Sequence, residues 1–371
     1  MGGAPCRFRP RVVLPGHSEG AEPNLSLICR VVAQSMLLCI GLLLLACSRS
    51  ASPAHGSLTS WSDASPHRVS FVSVAPDVRL EVLDWGGSGP PLVFLSGLQD
   101  VAHGFDDLAP EFTNDHHVVA ITRRGYGASS QPPGGYDLAG RVADLRAVLD
   151  SLGLPRVALV GHSIAGDELT AFAGTYPARV TSLVYLDAAY DHSNLQQMLG
   201  QFPAPPPLQA RDSASPRAVQ AYLQRVYGMH IPEAQLRSIG RYDSSGHLVA
   251  DVTPPTIDSL ILAGCGHPNY VAVGAPALVI YAVVDSVGQV FPFYSALDAP
   301  HQDAARRFTA ALQRWAGAER ARVRRELRTA KLLELHGANH YVFDSHRTEV
   351  IQSVREFLAR HRDSSGLRAV R

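Results

Sequence analysis

The amino-acid sequence predicts an α/β protein: a mostly parallel sheet of eight strands, with helices on both faces and a cap inserted after the sixth strand. Three observations carry this. Short apolar runs alternate along the chain with amphipathic stretches of helical period, the pattern of strand–helix–strand units. Most of those runs are apolar without interruption, as parallel strands covered on both faces must be. The alternation then breaks once, where residues 192–276 separate "LVYLDAAYD" from "ALVIYA", too long a stretch for a plain crossover.

Taken in order, the chain opens on Arg7, Arg9, Arg11 and Arg30, followed by the apolar run "MLLCIGLLLLA" from Met36 to Ala46, Cys47 and a polar stretch. That layout is a secretory signal, and the run is shorter than the roughly 20 residues that span a bilayer. Leu44-Leu45-Ala46-Cys47 resembles a bacterial lipobox, so residues 1–47 are expected to form a signal segment and Cys47 to be acylated. The expected location is the cell envelope of a bacterium, with the protein anchored to a membrane through the lipid. Cleavage would remove Cys6, Cys29 and Cys39, leaving Cys265 with no partner for an internal disulfide. Residues 48–66, rich in Ser, Ala and Pro, read as a tether.

The folded core is expected over 67–190 and 275–361. "FVSV" (71–74) and "LEVLDW" (80–85) are strands separated by the turn residues Ala75-Pro76-Asp77. The remaining strands are "LVFL" (92–95), "HVVAI" (117–121), "VALV" (157–160), "LVYL" (183–186), "ALVIYA" (277–282) and "KLLEL" (331–335). Helical patterns cover roughly 137–152, 164–176, 303–328 and 348–361. The cap, 191–274, starts with the proline-rich "FPAPPPLQARDSASP" and continues with a helical "RAVQAYLQRVYGM"; 362–371 is a tail. The 33 basic and 33 acidic residues cancel, so no global field draws the chain to nucleic acid or to an anionic surface.

Chemistry concentrates in Gly161-His162-Ser163-Ile164-Ala165, at the junction of a strand and a helix. A serine there is either a helix cap or a nucleophile on a tight turn, which demands small residues two before and two after it. Gly161 meets the first demand, and Ala165 exceeds the usual glycine by one methyl group. Further along, Asp285 follows the strand 277–282 and His340 follows the strand 331–335; "FLSGLQD" and "TRRGYGASS" follow the third and fourth strands.

With these motifs the sequence resembles the α/β-hydrolase family, in a serine-nucleophile, cap-bearing, esterase-like branch, over nearly all of residues 67–361. The resemblance implies the chain order Ser, Asp, His, hence Ser163 as nucleophile, Asp285 as acid and His340 as base. Asp187, after the sixth strand, is the rival acid, and His336 the rival base. Ser96-Gly97 stands where the family commonly has His-Gly, so the oxyanion hole rests on two backbone N–H groups, those of Leu98 and Ile164. His336 and His340 have the i, i+4 spacing of a zinc helix, but Gly337 and the missing Glu speak against it, and neither metal nor cofactor is expected. His162 is expected to turn away from the site, Asp167 and Glu168 to serve the helix dipole, and Arg123 and Arg124 to brace nearby loops. The implied activity is hydrolysis of an ester on a small or medium, partly apolar substrate. A proline-specific aminopeptidase, a thioesterase and a carbon–carbon hydrolase would use the same residues, and a non-catalytic envelope binding protein is the reading from another class. Ser rather than Asp at 163 argues against dehalogenases and epoxide hydrolases.

Overall fold

A computed structural model describes residues 61–195, 197 and 202–361. Its centre is a sheet in the order β1-β2-β4-β3-β5-β6-β9-β10. These strands are β1 (Arg68–Ala75), β2 (Val78–Gly86), β3 (Pro91–Leu95), β4 (His117–Ile121), β5 (Val157–His162), β6 (Val180–Leu186), β9 (Ala277–Val283) and β10 (Ala330–His336). β2 runs antiparallel to both its neighbours, and every pairing from β4 to β10 is parallel. All eight expected strands are present.

Alternation along each strand divides the core into two layers. On β3, Val93 and Leu95 join a cluster with Val148 and Leu149 of α1 (Leu138–Ser151) and Leu169 and Phe172 of α2 (Ala165–Thr175). Leu92 and Phe94 face the other way and pack with Phe105, Phe112 and residues such as Val350 and Phe357. Both faces are thereby covered, which is why these strands carry so few polar positions. Asp137 caps α1 by accepting from the N–H of Gly140 at 2.7 Å.

Between β6 and β9 the chain forms α3 (Pro216–Tyr227), α4 (Glu233–Ile239), a two-stranded hairpin of β7 (Gly240–Tyr242) and β8 (Leu248–Asp251), and α5 (Pro255–Ala263). The helical run after the proline-rich stretch is α3, capped by the Ser215 hydroxyl and ended by Gly228 with a φ of +67°. Sequence reading did not anticipate the hairpin, whose strands have only three and four residues. Val219, Leu223 and Leu236 of this region pack against Phe291 and against Phe308 of α6 (Ala299–Glu326). The last helix is α7 (Arg347–Arg360).

Two N-terminal expectations meet the structure differently. The tether was drawn to residue 66, yet Ser65 accepts from the Trp85 indole at 2.9 Å and donates to the carbonyl of Asp106, so docking starts before residue 67. The signal segment and Cys47 lie outside the described residues. Among the described residues, no helix is long and apolar enough to cross a membrane.

Candidate active site

Ser163 occupies the turn between β5 and α2 with a φ of +55°, in the left-handed region that non-glycine residues rarely adopt. A helix-capping serine has extended backbone, so this conformation is that of a strained turn. The N–H of Ser163 donates to the carbonyl of Leu186 at 3.2 Å, tying the turn to the end of β6. A Cβ on Gly161 would stand 3.2 Å from that of Ala165 and 2.8 Å from Leu169. The extra methyl of Ala165 is therefore accommodated because Gly161 has none. A Cβ on Gly166 would sit 1.8 Å from the carbonyl oxygen of Ala188, so α2 approaches the loop after β6 as closely as backbone permits.

That loop carries a buried aspartate, Asp187. His340, on the loop after β10, places Nδ1 2.6 Å from Oδ2 of Asp187. Asp187 is buried, and its other oxygen accepts from the Tyr190 hydroxyl at 2.6 Å and the N–H of Ala282 at 3.0 Å. Asp285, expected as the acid, lies elsewhere. Its Oδ1 is 2.9 Å from Nδ1 of His336, Oδ2 accepts from the N–H of Gly337, and the pair is exposed. The register explains this: His336 pairs with Val283 across β9 and β10, so it meets Asp285 directly beyond the strand ends, while His340 has looped back toward β6.

His162 holds the His340 loop. Its Nε2 donates to the carbonyl of His340 at 3.1 Å, and its ring lies 4.6 Å from the His340 ring and 4.7 Å from that of Tyr341. With Nδ1 on Asp187, Nε2 of His340 is left buried and without a hydrogen-bond partner. No hydrogen bond joins it to Ser163. Burial pushes the His340 pKa below the ordinary histidine value and His162 adds to that, against the opposing pull of Asp187. Burial thereby favours the neutral ring over the charged one.

The loop after β3 closes over the serine. A Cβ on Gly97 would lie 3.3 Å from that of Ser163 and 3.0 Å from His162 Nδ1, so the loop passes directly above the turn. Arg123 shapes it. Its Nη1 donates to the carbonyl of Gly97 and its Nη2 to that of Ser96, both at 3.0 Å, while Nε donates to Glu168 at 2.8 Å. Glu168 also accepts from Arg141 at 2.9 Å, so one carboxylate anchors two buried guanidiniums. Burial lowers the pKa of Arg123, and Glu168 more than reverses it. Asp100 pins the loop's far end by accepting from Gln235 and from Tyr341. Among the described residues, neither the N–H of Leu98 nor that of Ile164 has an acceptor.

Sequence reading placed Arg123 near the loops but missed the fork to two carbonyls, and it missed Asp100 altogether. "TRRG" signals a basic residue without saying what it grips, and nothing in "GLQD" distinguishes Asp100 from a turn aspartate. Arg124 braces a different point, pairing with Asp144 of α1. Asp167 accepts from His192 at 2.8 Å. Cys265 is no rival nucleophile, since burial pushes its thiol up to about 12.

A cavity of about 170 Å³ borders the Asp187–His340 pair. Tyr190, Phe202, Tyr227 and Met229 line it from the segment between β6 and β9, and Phe308 and Trp315 from α6. His340 contributes to the wall; Ser163 does not.

A mostly parallel sheet with a strained serine on the turn after β5, and an aspartate-bound histidine on the loop after β10, defines a class: α/β proteins with a tight strand–helix turn at the end of a central strand. Residues 90–216 match the family model of the α/β hydrolase fold. The chain is 36% identical over 140 residues to a serine hydrolase-like protein of Danio rerio, a match covering 36% of this chain and 43% of the relative. It is 37% identical over 107 residues to a fluoroacetate dehalogenase of Burkholderia sp, covering 28% of this chain and 35% of the relative. The chain thus spans less than half the length of either. The solved structure of E-2-(acetamidomethylene)succinate hydrolase superposes with a TM-score of 0.57 at 18% identity, covering 79% of this chain and 99% of that one. The chain has the α/β-hydrolase fold.

Proposed function

We propose that the protein is a serine hydrolase that cleaves an ester through an acyl-enzyme, with Ser163 as nucleophile, His340 as base and Asp187 as the acid that orients it. The observation carrying this is the buried, unpartnered Nε2 of a histidine whose other nitrogen is held by Asp187, together with a serine in left-handed backbone that directly follows His162, the residue that grips the histidine's carbonyl. Nε2 takes the Ser163 proton as Oγ attacks the acyl carbon. The N–H groups of Leu98 and Ile164 stabilise the oxyanion, and collapse expels the alcohol, which takes the proton from His340. Water, deprotonated by the same nitrogen, then releases the acid and regenerates the serine.

The cavity beside His340 suits an apolar part of the substrate. Dehalogenase chemistry, suggested by the Burkholderia relative, needs a carboxylate nucleophile that Ser163 does not supply. A fluorophosphonate probe is expected to label the wild-type protein and not Ser163→Ala. Labelling that survives this change, or folded wild type that takes no label, would sink the reading, the second result in favour of a binding protein. A panel of esters beside a thioester and a proline amide separates ester cleavage from its sister reactions. Export with a lipid on Cys47 is part of the same proposal; loss of incorporated fatty acid in Cys47→Ser checks it.

A further inference from the structure

We infer that Asp63, His67, His103 and Asp106 form a zinc site that clasps the segment before β1 to the segment behind the loop over Ser163. Asp63 and His67 precede β1; His103 and Asp106 lie in and just after the 3-10 turn Ala102–Phe105, which follows that loop. The two pairs are far apart in sequence, and their donor atoms all come within 4.8 Å of one another.

The distances favour one ion. His67 Nε2 is 3.1 Å from Asp63 Oδ2 and 3.3 Å from Asp106 Oδ1, while His103 Nδ1 is 3.1 Å from Asp63 Oδ2 and 3.0 Å from Asp106 Oδ2. Tetrahedral zinc with bonds of about 2.0–2.2 Å to nitrogen and oxygen holds its donors roughly 3.3–3.5 Å apart. These four histidine–aspartate separations are therefore already close to the edges of that tetrahedron, and a few tenths of an ångström of expansion would bring them to its size. Two imidazoles with two carboxylates are a zinc set; calcium would want six or more oxygens.

Two further observations point to an occupant. Oδ1 of Asp106 is buried and has no hydrogen bond, although His67 Nε2 faces it. A proton on that nitrogen serves Asp63, whereas a dication at the centre would engage both oxygens. Asp63 is also pre-set, because its Oδ1 accepts from the N–H of Ser65 at 2.9 Å and leaves Oδ2 turned inward. One Zn²⁺ would balance the charge of the two carboxylates, of which that of Asp106 is buried. The absence of metal expected from the sequence weighed only His336 and His340, which do not converge with these groups.

The test uses the full chain. After dialysis in metal-free buffer, mass spectrometry should find one zinc per chain in wild type and in His336→Ala, and almost none in the double variant His67→Ala, His103→Ala. Chelator should lower the melting temperature by several degrees, with recovery on adding Zn²⁺ but not Ca²⁺. Cobalt substituted into wild type should give the intense visible absorption of tetrahedral Co²⁺, which zinc displaces; this decides the matter if the double variant does not fold. Wild type that binds no stoichiometric zinc and melts identically with chelator, or a double variant that keeps its metal, overturns the proposal and leaves the cluster as paired salt bridges.

Discussion

Two of the molecule's aspartate–histidine pairs have histidines only four residues apart, each joined through Nδ1, and their surroundings give them opposite characters. Asp187 and His340 meet at 2.6 Å with the acid almost entirely buried; Asp285 and His336 meet at 2.9 Å with side chains 47% and 69% exposed. In the buried pair every oxygen of the acid is satisfied, and the second nitrogen of the histidine is sealed from water without a partner. In the exposed pair, water screens the charges and competes for the ring. Chemical type is common to both pairs. What separates them is the loop that carries one histidine back over β6 while the other stays at the strand end.

The sharpest way to break this contrast is to remove each partner of the buried pair. His340→Ala should lower kcat on a neutral ester by about 10⁶-fold, and Asp187→Asn by about 10⁴-fold, in purified protein that still melts cooperatively. Retention of most activity by Asp187→Asn would return the acid to Asp285. Because burial depresses the His340 pKa, kcat/KM should rise with pH through an inflection below the ordinary histidine value of about 6.5. An inflection above that value would mean that Asp187 outweighs desolvation.

The next effect concerns the loop rather than the base. Arg123→Lys keeps a cation for Glu168 but cannot donate to both the Ser96 and Gly97 carbonyls as the guanidinium fork does. If those bonds set the loop, kcat should fall by up to about 10²-fold, short of the loss of a whole oxyanion donor. KM should change little. A KM change with intact kcat would place Arg123 in substrate binding instead.

How far the sequence foretold all this follows from the range of each interaction. Strand and helix positions depend on residues within a few places of one another, so β4 is legible as "HVVAI" and α1 as the run from Asp137. Ser163 is legible because its turn has a local demand for small neighbours. The acid is not, because Asp187 and Asp285 both end apolar strands, and β6 and β9 are adjacent in the sheet. The deciding contact spans 153 residues and depends on how the loop after Gly337 turns. The Arg123 fork is equally hidden, since its acceptors are backbone carbonyls without a sequence signature. The hairpin β7–β8 escapes because its strands are too short for alternation to register.

The smallest predicted effect is the control that gives the others meaning. Asp285→Asn and His336→Ala each remove one half of an exposed pair, and such pairs contribute at most about 1 kcal/mol. Either variant should keep kcat within about twofold of wild type and lose no more than a few degrees of melting temperature. Asp285 also receives the N–H of Gly337, at the start of the loop that presents His340. Asp285→Asn retains an oxygen for that bond, whereas Asp285→Ala does not. A larger loss in Asp285→Ala than in His336→Ala would therefore assign Asp285 to shaping the His340 loop, since the alanine forfeits the Gly337 bond and the histidine variant leaves it intact.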